Sequence, residues 1–363
     1  MIKQFIIEDK MMNPQKTPSK NFPDENQYWV WIRPNTKATS EDLKREFARM
    51  RKAGIQHIAA ELYNSSSALF RSSRVPVKAE WLEIALPAAL AEGIQLHAWM
   101  WSMPCNLEKN QKEHPEWFAV NRKQQSVLTH PAYVPYYKFM CPSRPGVHQF
   151  VRDNVKELAQ YQEIAGIHLD YIRYPDVILP ETLQPEYNIV QDKEYPEYDY
   201  CYCELCRENF QKESGIDPLE IEDPANHEAW LEFRYHRIIN LVNNILAPAA
   251  RSYDKHITAA VFPNWYNVRQ QWFKWNLDAF LPMLYHNFYH GDLNWLKEQT
   301  RIAVDRLPET TPLYSGLYIP AISPTELPKA IDAALEGGAK GVSLFDAGSM
   351  SEEHWQALES AQK

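Results

Sequence analysis

Short apolar stretches rich in β-branched and aromatic residues alternate with amphipathic helical stretches along nearly the whole chain, and few folds accept that pattern. The strand-like stretches are residues 28–33, 57–62, 95–101, 166–173, 256–264, 280–286, 313–319 and 341–346. Helical periodicity runs through 40–53, 81–92, 146–161, 228–253, 293–305, 325–336 and 352–361, with a shorter helix or turn at 268–277. Each intervening segment is long enough to cross over a pair of parallel strands, which no tight turn can join. Eight such units predict an α/β protein built as a (β/α)₈ TIM barrel. A doubly wound open sheet would want a glycine-rich phosphate turn after the first strand; none is there, and the chain has only 11 Gly. The expected organisation is a flexible N-terminal arm, 1–27, and a single barrel domain, 28–363.

Helix boundaries agree with this registration. Ser40 precedes Glu41 and Asp42, and Ser323-Pro324-Thr325-Glu326 carries N-terminal cap and first-turn proline chemistry. Gly54, Gly93 and Gly337-Gly338 stand where helices end before the next strand. Two connections, 102–145 after the third strand and 175–227 after the fourth, are far longer than scaffolding needs. Both fall on the C-terminal rim of the barrel, where such enzymes keep their chemistry.

That rim is also where the acids collect. The fourth strand reads Gly166-Ile167-His168-Leu169-Asp170-Tyr171-Ile172-Arg173-Tyr174-Pro175. Side chains alternate across a strand, so His168 and Asp170 share one face while Ile167, Leu169 and Tyr171 share the other. Asp170 therefore stands at the strand tip as nucleophile or base, unless it only caps the next element or pairs with Arg173. Glu61 ends the second strand between apolar neighbours, and Asp346 ends the eighth; they compete for the role of acid. For either one, the plainer alternative is a carboxylate that orients a neighbouring Arg or His. Paired carboxylates ringed by aromatics suit glycosidic bond cleavage, in which one protonates the leaving oxygen and the other attacks or activates water.

Candidate substrate contacts follow from the same strand tips. They are His97, Trp99 and Trp101 on the third strand, Arg173 and Tyr174 after the fourth, Asn264 on the fifth, Tyr285 and His286 on the sixth, and Tyr318 on the seventh. His97 and His168 lie one layer below the tips, able to bond the carboxylates or to be satisfied core residues. His57 and His256 lie at strand starts and are expected to be structural.

Composition narrows the partners. With 12 Trp and 20 Tyr, the chain carries more amphipathic ring surface than a core needs, which suits sugar faces. A net charge of -9 and the lack of a basic run argue against nucleic acid. No stretch is apolar for long enough to span a bilayer, and residues 1–26 lack the apolar core of a signal peptide. Location therefore stays open between the cytoplasm and export with a signal removed, and so does the oligomeric state. No cofactor is expected for catalysis. Cys201-Tyr202-Cys203-Glu204-Leu205-Cys206 presents three thiols, Cys201, Cys203 and Cys206, at structural-zinc spacing. A fourth ligand is missing locally, and only Cys105 and Cys141 remain. Reduced thiols or one disulfide are the alternatives to zinc.

The run Cys141-Pro142-Ser143-Arg144-Pro145, then a helix, then Gly166 through Pro175 resembles the family 10-like glycosyl hydrolases, which include a peptidoglycan-glycan hydrolase. His114-Pro115-Glu116-Trp117 and the C-x-C-x-x-C-Arg-x-x-Phe run to Phe210 fit as well, so the resemblance spans roughly Trp29 to Asp346. It implies a (β/α)₈ fold, an oligo- or polysaccharide substrate and Asp170 as the leading acid. The second-strand tip departs from the family, whose members often carry an Arg-containing tip where this chain has Glu61. Members are typically exported. The expected function is thus a glycoside hydrolase with a two-carboxylate mechanism; the alternative is a carbohydrate-binding barrel without catalysis. A metal-dependent hydrolase would want His-x-His on the first strand, which instead reads Trp29-Val30-Trp31.

Overall fold

The structure, a computed structural model, describes residue 22 and residues 27–361. The expected arm thus lies outside the described residues, apart from Phe22 and Gln27. Eight strands form the frame: β1 (Gln27–Ile32), β2 (Ile55–Tyr63), β3 (Gln95–Trp101), β4 (Gly166–Asp170), β5 (His256–Val261), β6 (Ala279–Pro282), β7 (Ser315–Tyr318) and β8 (Gly341–Phe345). All pair in parallel in the order β6-β5-β4-β3-β2-β1-β8-β7, so sequence neighbours are spatial neighbours. Between β6 and β7 the ring is joined by a single bridge, Phe280 to Leu313. The Phe280 N–H donates to Pro312 O at 3.2 Å and the Tyr314 N–H to Phe280 O at 2.9 Å. This is the expected barrel.

Period-two alternation sorts the strand residues into two cores. Val30, Ile58, Ala60, Leu96, Ala98, Ile167 and Leu169 face outward and pack under the helices. Trp29, Trp31 and Trp99 face inward with Ala59, Ala260 and Ala279. Three indoles fit inside the ring because alanines stand on facing strands, which keeps the interior at normal packing density. Below them, toward the strand starts, Phe22 stacks on His256 with ring centroids 4.5 Å apart.

Several element ends differ from the sequence expectation, each for a local reason. The first helix (Ser40–Lys52) is capped by Thr39 rather than Ser40, through a reciprocal capping box with Asp42. Ser323 bonds Glu326 at 2.6 Å, but the helix itself starts later, at Leu327. The stretch 228–253 forms one rod whose middle, Leu241–Leu246, widens to a π-helix. Pro248 lies just beyond, where its missing N–H and ring disrupt the regular α ladder. β4 stops at Asp170 rather than running to Arg173, because Tyr171 takes a left-handed φ of 51°.

Candidate active site

That left-handed residue decides what stands at the β4 tip. It turns the Tyr171 N–H back onto Asp170 Oδ1 at 2.7 Å, and Trp99 Nε1 donates to Oδ2 at 3.0 Å. Tyr171 does not share the outward face with Ile167 and Leu169 as strict alternation required. It swings into the mouth instead and packs on Trp101 at 4.5 Å. Asp170 is only 9% exposed. Burial pushes its carboxyl up to about 6, against the Tyr171 N–H, the Arg173 charge and the Trp99 donor, all of which favour the anion.

Asp170 opens into a cleft of about 200 Å³ at the C-terminal rim. Its floor is the inner barrel layer at Trp31, Trp99, Met283 and Phe345, and Trp101, Arg173 and Tyr285 stand along its sides. Five predicted site residues, Asp170, Trp99, Trp101, Arg173 and Tyr285, thus share one cavity.

Glu61 and Asp346 meet across the first strand's end through a residue the sequence reading passed over, Arg33. Its Nη1 donates to Asp346 Oδ2 at 2.8 Å, and its Nε lies 3.8 Å from Glu61 Oε2. Asp346 Oδ1 also accepts from Ser349 N–H and Ser349 Oγ, each at 3.0 Å. Asp346 thus fits the plainer alternative, a carboxylate that caps a turn and orients an arginine. Glu61 has fewer partners: its Oε2 is buried without a hydrogen bond among the described residues. Burial raises its carboxyl, as does the Asp170 charge, while Arg33 opposes both. Glu61 itself does not line this cavity, although its neighbours Arg33 and Trp101 do.

The other predicted contacts lie elsewhere. His97 is fully buried at the opposite end of the barrel, 3.1 Å from His57 Nδ1, and makes no contact with the cleft. His168 bonds Thr258 Oγ1 at 2.7 Å, so neither histidine reaches Asp170. Tyr174 is buried beside the thiol cluster, away from the cavity. Asn264 and His286 occupy half-buried turns outside it. Tyr318 backs the wall, with its ring 5.2 Å from Tyr285 and 5.1 Å from Phe288.

Arg33 was within reach of the sequence reading, since alternation from Trp29 and Trp31 puts it on the inward face. Asp176 was not. It is a loop residue 3% exposed, whose Oδ2 accepts from Arg173 Nη1 at 2.9 Å. With Asp170 it supplies the carboxylates that line the cavity.

The thiol cluster gains its fourth member. Cys141, Cys201, Cys203 and Cys206 are all buried, with sulfur atoms within 4.8 Å of one another. Cys141 Sγ lies 3.4 Å from Cys206 Sγ and 3.7 Å from Cys203 Sγ. Four thiolates about 2.3 Å from a tetrahedral zinc would be separated by about 3.8 Å, so the set fits that ion. Arg144 lies beside Cys203 and Cys141, where its charge would offset an excess of thiolate. Cys141 belongs to the long loop after β3 and the other three to the long loop after β4, so one ion would staple both walls of the cleft. Cys105 is buried apart, bonded by Asn110 Nδ2 at 3.5 Å.

No family model and no curated protein matches the chain. Solved structures do. The β-galactosidase of the haloarchaeon Halorubrum lacusprofundi aligns over 92% of this chain and 57% of its own, at 14% identity and a TM-score of 0.69. The family 42 β-galactosidase Gan42B of G. stearothermophilus aligns over 93% and 56%, at 13% identity and 0.67. The catalytic domain of β-amylase from Paenibacillus polymyxa aligns over 93% and 98%, at 11% identity and 0.66. The chain therefore spans little more than half of the β-galactosidases it matches. These structural neighbours are glycoside hydrolases on TIM barrels, and at such identities the likeness establishes the fold. Among the described residues no helix is long and apolar enough to cross a membrane.

Proposed function

We propose that the chain is a glycoside hydrolase in which Asp170 is the nucleophile or base and Glu61 the acid. The observation that carries this reading is a pair of largely enclosed carboxylates at one rim of the barrel, Asp170 on the aromatic cleft and Glu61 beside it, each raised by burial and Glu61 raised further by the Asp170 charge. Asp170 has two N–H donors, which favour its anion, whereas Glu61 Oε2 is buried with no hydrogen-bond donor among the described residues and the Arg33 Nε no nearer than 3.8 Å, which leaves more room for the protonated form. Trp99 and Trp101 offer ring faces and edges to a sugar. The sequence resemblance to the family 10-like glycosyl hydrolases supports the same substrate class. No cofactor enters the reaction; zinc at Cys141, Cys201, Cys203 and Cys206 would serve the walls rather than the chemistry.

Screening oligosaccharides and polysaccharides, peptidoglycan glycans among them, against the wild type, Asp170→Asn and Glu61→Gln tests the assignment. A cleaved glycan with turnover at least about a hundredfold lower in each variant is expected. Wild-type rates in Asp170→Asn would remove it from the chemistry. One observation favours the non-catalytic alternative: Glu61 is not among the side chains that line the cavity, whereas its neighbours Arg33 and Trp101 are. Glycan binding without any cleavage would decide for that alternative.

A further inference from the structure

Two loops bound the cleft on one side. The loop after β4 carries Leu179, Pro180, Leu183 and Tyr187 over the cavity, and the loop after β6 brings Phe288 and Tyr289 to meet it. They are tied together where Thr182 Oγ1 donates to Phe288 O at 2.9 Å. On the opposite side, Arg33 at the end of β1 is 57% exposed, marking the mouth.

Beneath that roof stands a charged pair with a specific build. The Arg173 guanidinium is held among four rings, 4.9 Å from Phe262, 5.1 Å from Tyr171, 5.4 Å from Phe139 and 5.9 Å from Tyr137. Its Nη1 donates to Asp176 Oδ2 and to Tyr174 O, both at 2.9 Å, which fixes the fork. Asp176 Oδ1 has no donor among the described residues and belongs to a residue lining the cavity. A buried ion pair is costly to desolvate and is a poor source of stability. Held rigid at a cavity wall, it sets a carboxylate oxygen beside a guanidinium whose Nη2 lies 3.4 Å from Tyr137 Oη, an arrangement that suits two adjacent hydroxyls of a sugar.

We propose that Arg173 and Asp176 form a diol clamp at the closed end of the cleft, holding the terminal sugar of a glycan so that the enzyme trims one unit from a chain end. The inference rests on the glycosidase reading. In this proposal the loops tied by Thr182 and Phe288 block further sugars beyond the clamp, and the side at exposed Arg33 admits the rest of the chain. The clamp does no chemistry; it positions the ring over Asp170.

The test uses the full-length wild-type protein with hexasaccharides labelled at the reducing end, made of β-1,4-linked N-acetylglucosamine, xylose, glucose or galactose, and with a muropeptide-free glycan strand. Early products are resolved by chromatography. Monosaccharide and labelled pentasaccharide, with no early di-, tri- or tetrasaccharide, are expected from any cleaved substrate. Early mid-length fragments would overturn the clamp and leave the glycosidase reading standing; cleavage of no glycan in the panel or the wider screen would overturn both. Asp176→Asn removes the charged acceptor and should raise KM roughly tenfold or more while changing kcat much less. Because this variant leaves Arg173 without its anion, folding is checked by circular dichroism. Thr182→Val, which only unties the roof, should let early disaccharide appear. A monosaccharide-only pattern in Thr182→Val together with an unchanged KM in folded Asp176→Asn would refute the proposal.

Discussion

Asp170→Asn should make this protein less active and, above neutral pH, more stable. In the unfolded chain an Asp ionises near 3.8, whereas in the fold Asp170 holds its proton up to about 6. Between those values the folded state binds the extra proton, so stability falls as pH rises through the window and levels off above it. The full displacement corresponds to about 3 kcal/mol. Asparagine carries no charge and escapes this penalty. It also offers one acceptor oxygen where two donors, Trp99 Nε1 and the Tyr171 N–H, now point, and leaving one donor unmet costs about 1–2 kcal/mol. The variant should thus be more stable than the wild type by about 1–2 kcal/mol at pH 8, and less stable by a similar amount below pH 4, where the native carboxyl is already neutral. Denaturant titrations at several pH values measure both ends. Parallel stability–pH curves for the two proteins would show that the native fold does not hold Asp170 against a desolvation penalty, and the reasoning would fail.

Other consequences can be measured separately. The acid limb of kcat/KM should show an apparent pKa of about 6, since Asp170 must ionise to act, and its absence from the profile would remove Asp170 from that role. Arg33→Ala leaves the burial of Glu61 less opposed, so the alkaline limb should move to higher pH; an unmoved limb would disconnect Glu61 from the profile. Protein purified without chelator should carry about one zinc per chain, lost in Cys141→Ser and kept in Cys105→Ser. A crosslink over the roughly 60 residues from Cys141 to Cys201 is worth about 4 kcal/mol by loop entropy, so stripped protein should melt several degrees lower, and metal-free protein with unchanged melting would refute the staple. Gly316→Ala would put a Cβ 2.5 Å from Pro282 O and should cost about 1–3 kcal/mol, read by thermal denaturation.

The barrel was legible because its signals are local and repeated. Each strand announces itself by period two, each crossover by helical periodicity, and eight repetitions leave little room for another topology. The site was legible only where a side chain sits on a strand at a fixed phase. Alternation put Asp170 and Trp99 on the inward face, as found. It failed at Tyr171, whose left-handed backbone breaks the phase, and at His97, which faces inward but at the wrong end of its strand. Asp176 and Cys141 come from long loops, where spacing carries no direction. Cys141 stands 60 positions from Cys201, and only the packing of two loops against each other makes them neighbours.

The sparse link between β6 and β7 makes the ring behave mechanically as a strip whose two ends have been buttoned. Elsewhere each strand shares a ladder of paired residues with both neighbours; here one bridge and two backbone hydrogen bonds hold the circle shut. Opening at this junction breaks the fewest bonds, so Phe280 and Tyr314 amides should exchange with solvent ahead of those in β2, β3 and β4. The loop after β6, which carries Phe288 into the roof, springs from one edge of the same junction. Breathing of the circle and entry of a ligand are therefore hinged on one line down the side of the molecule.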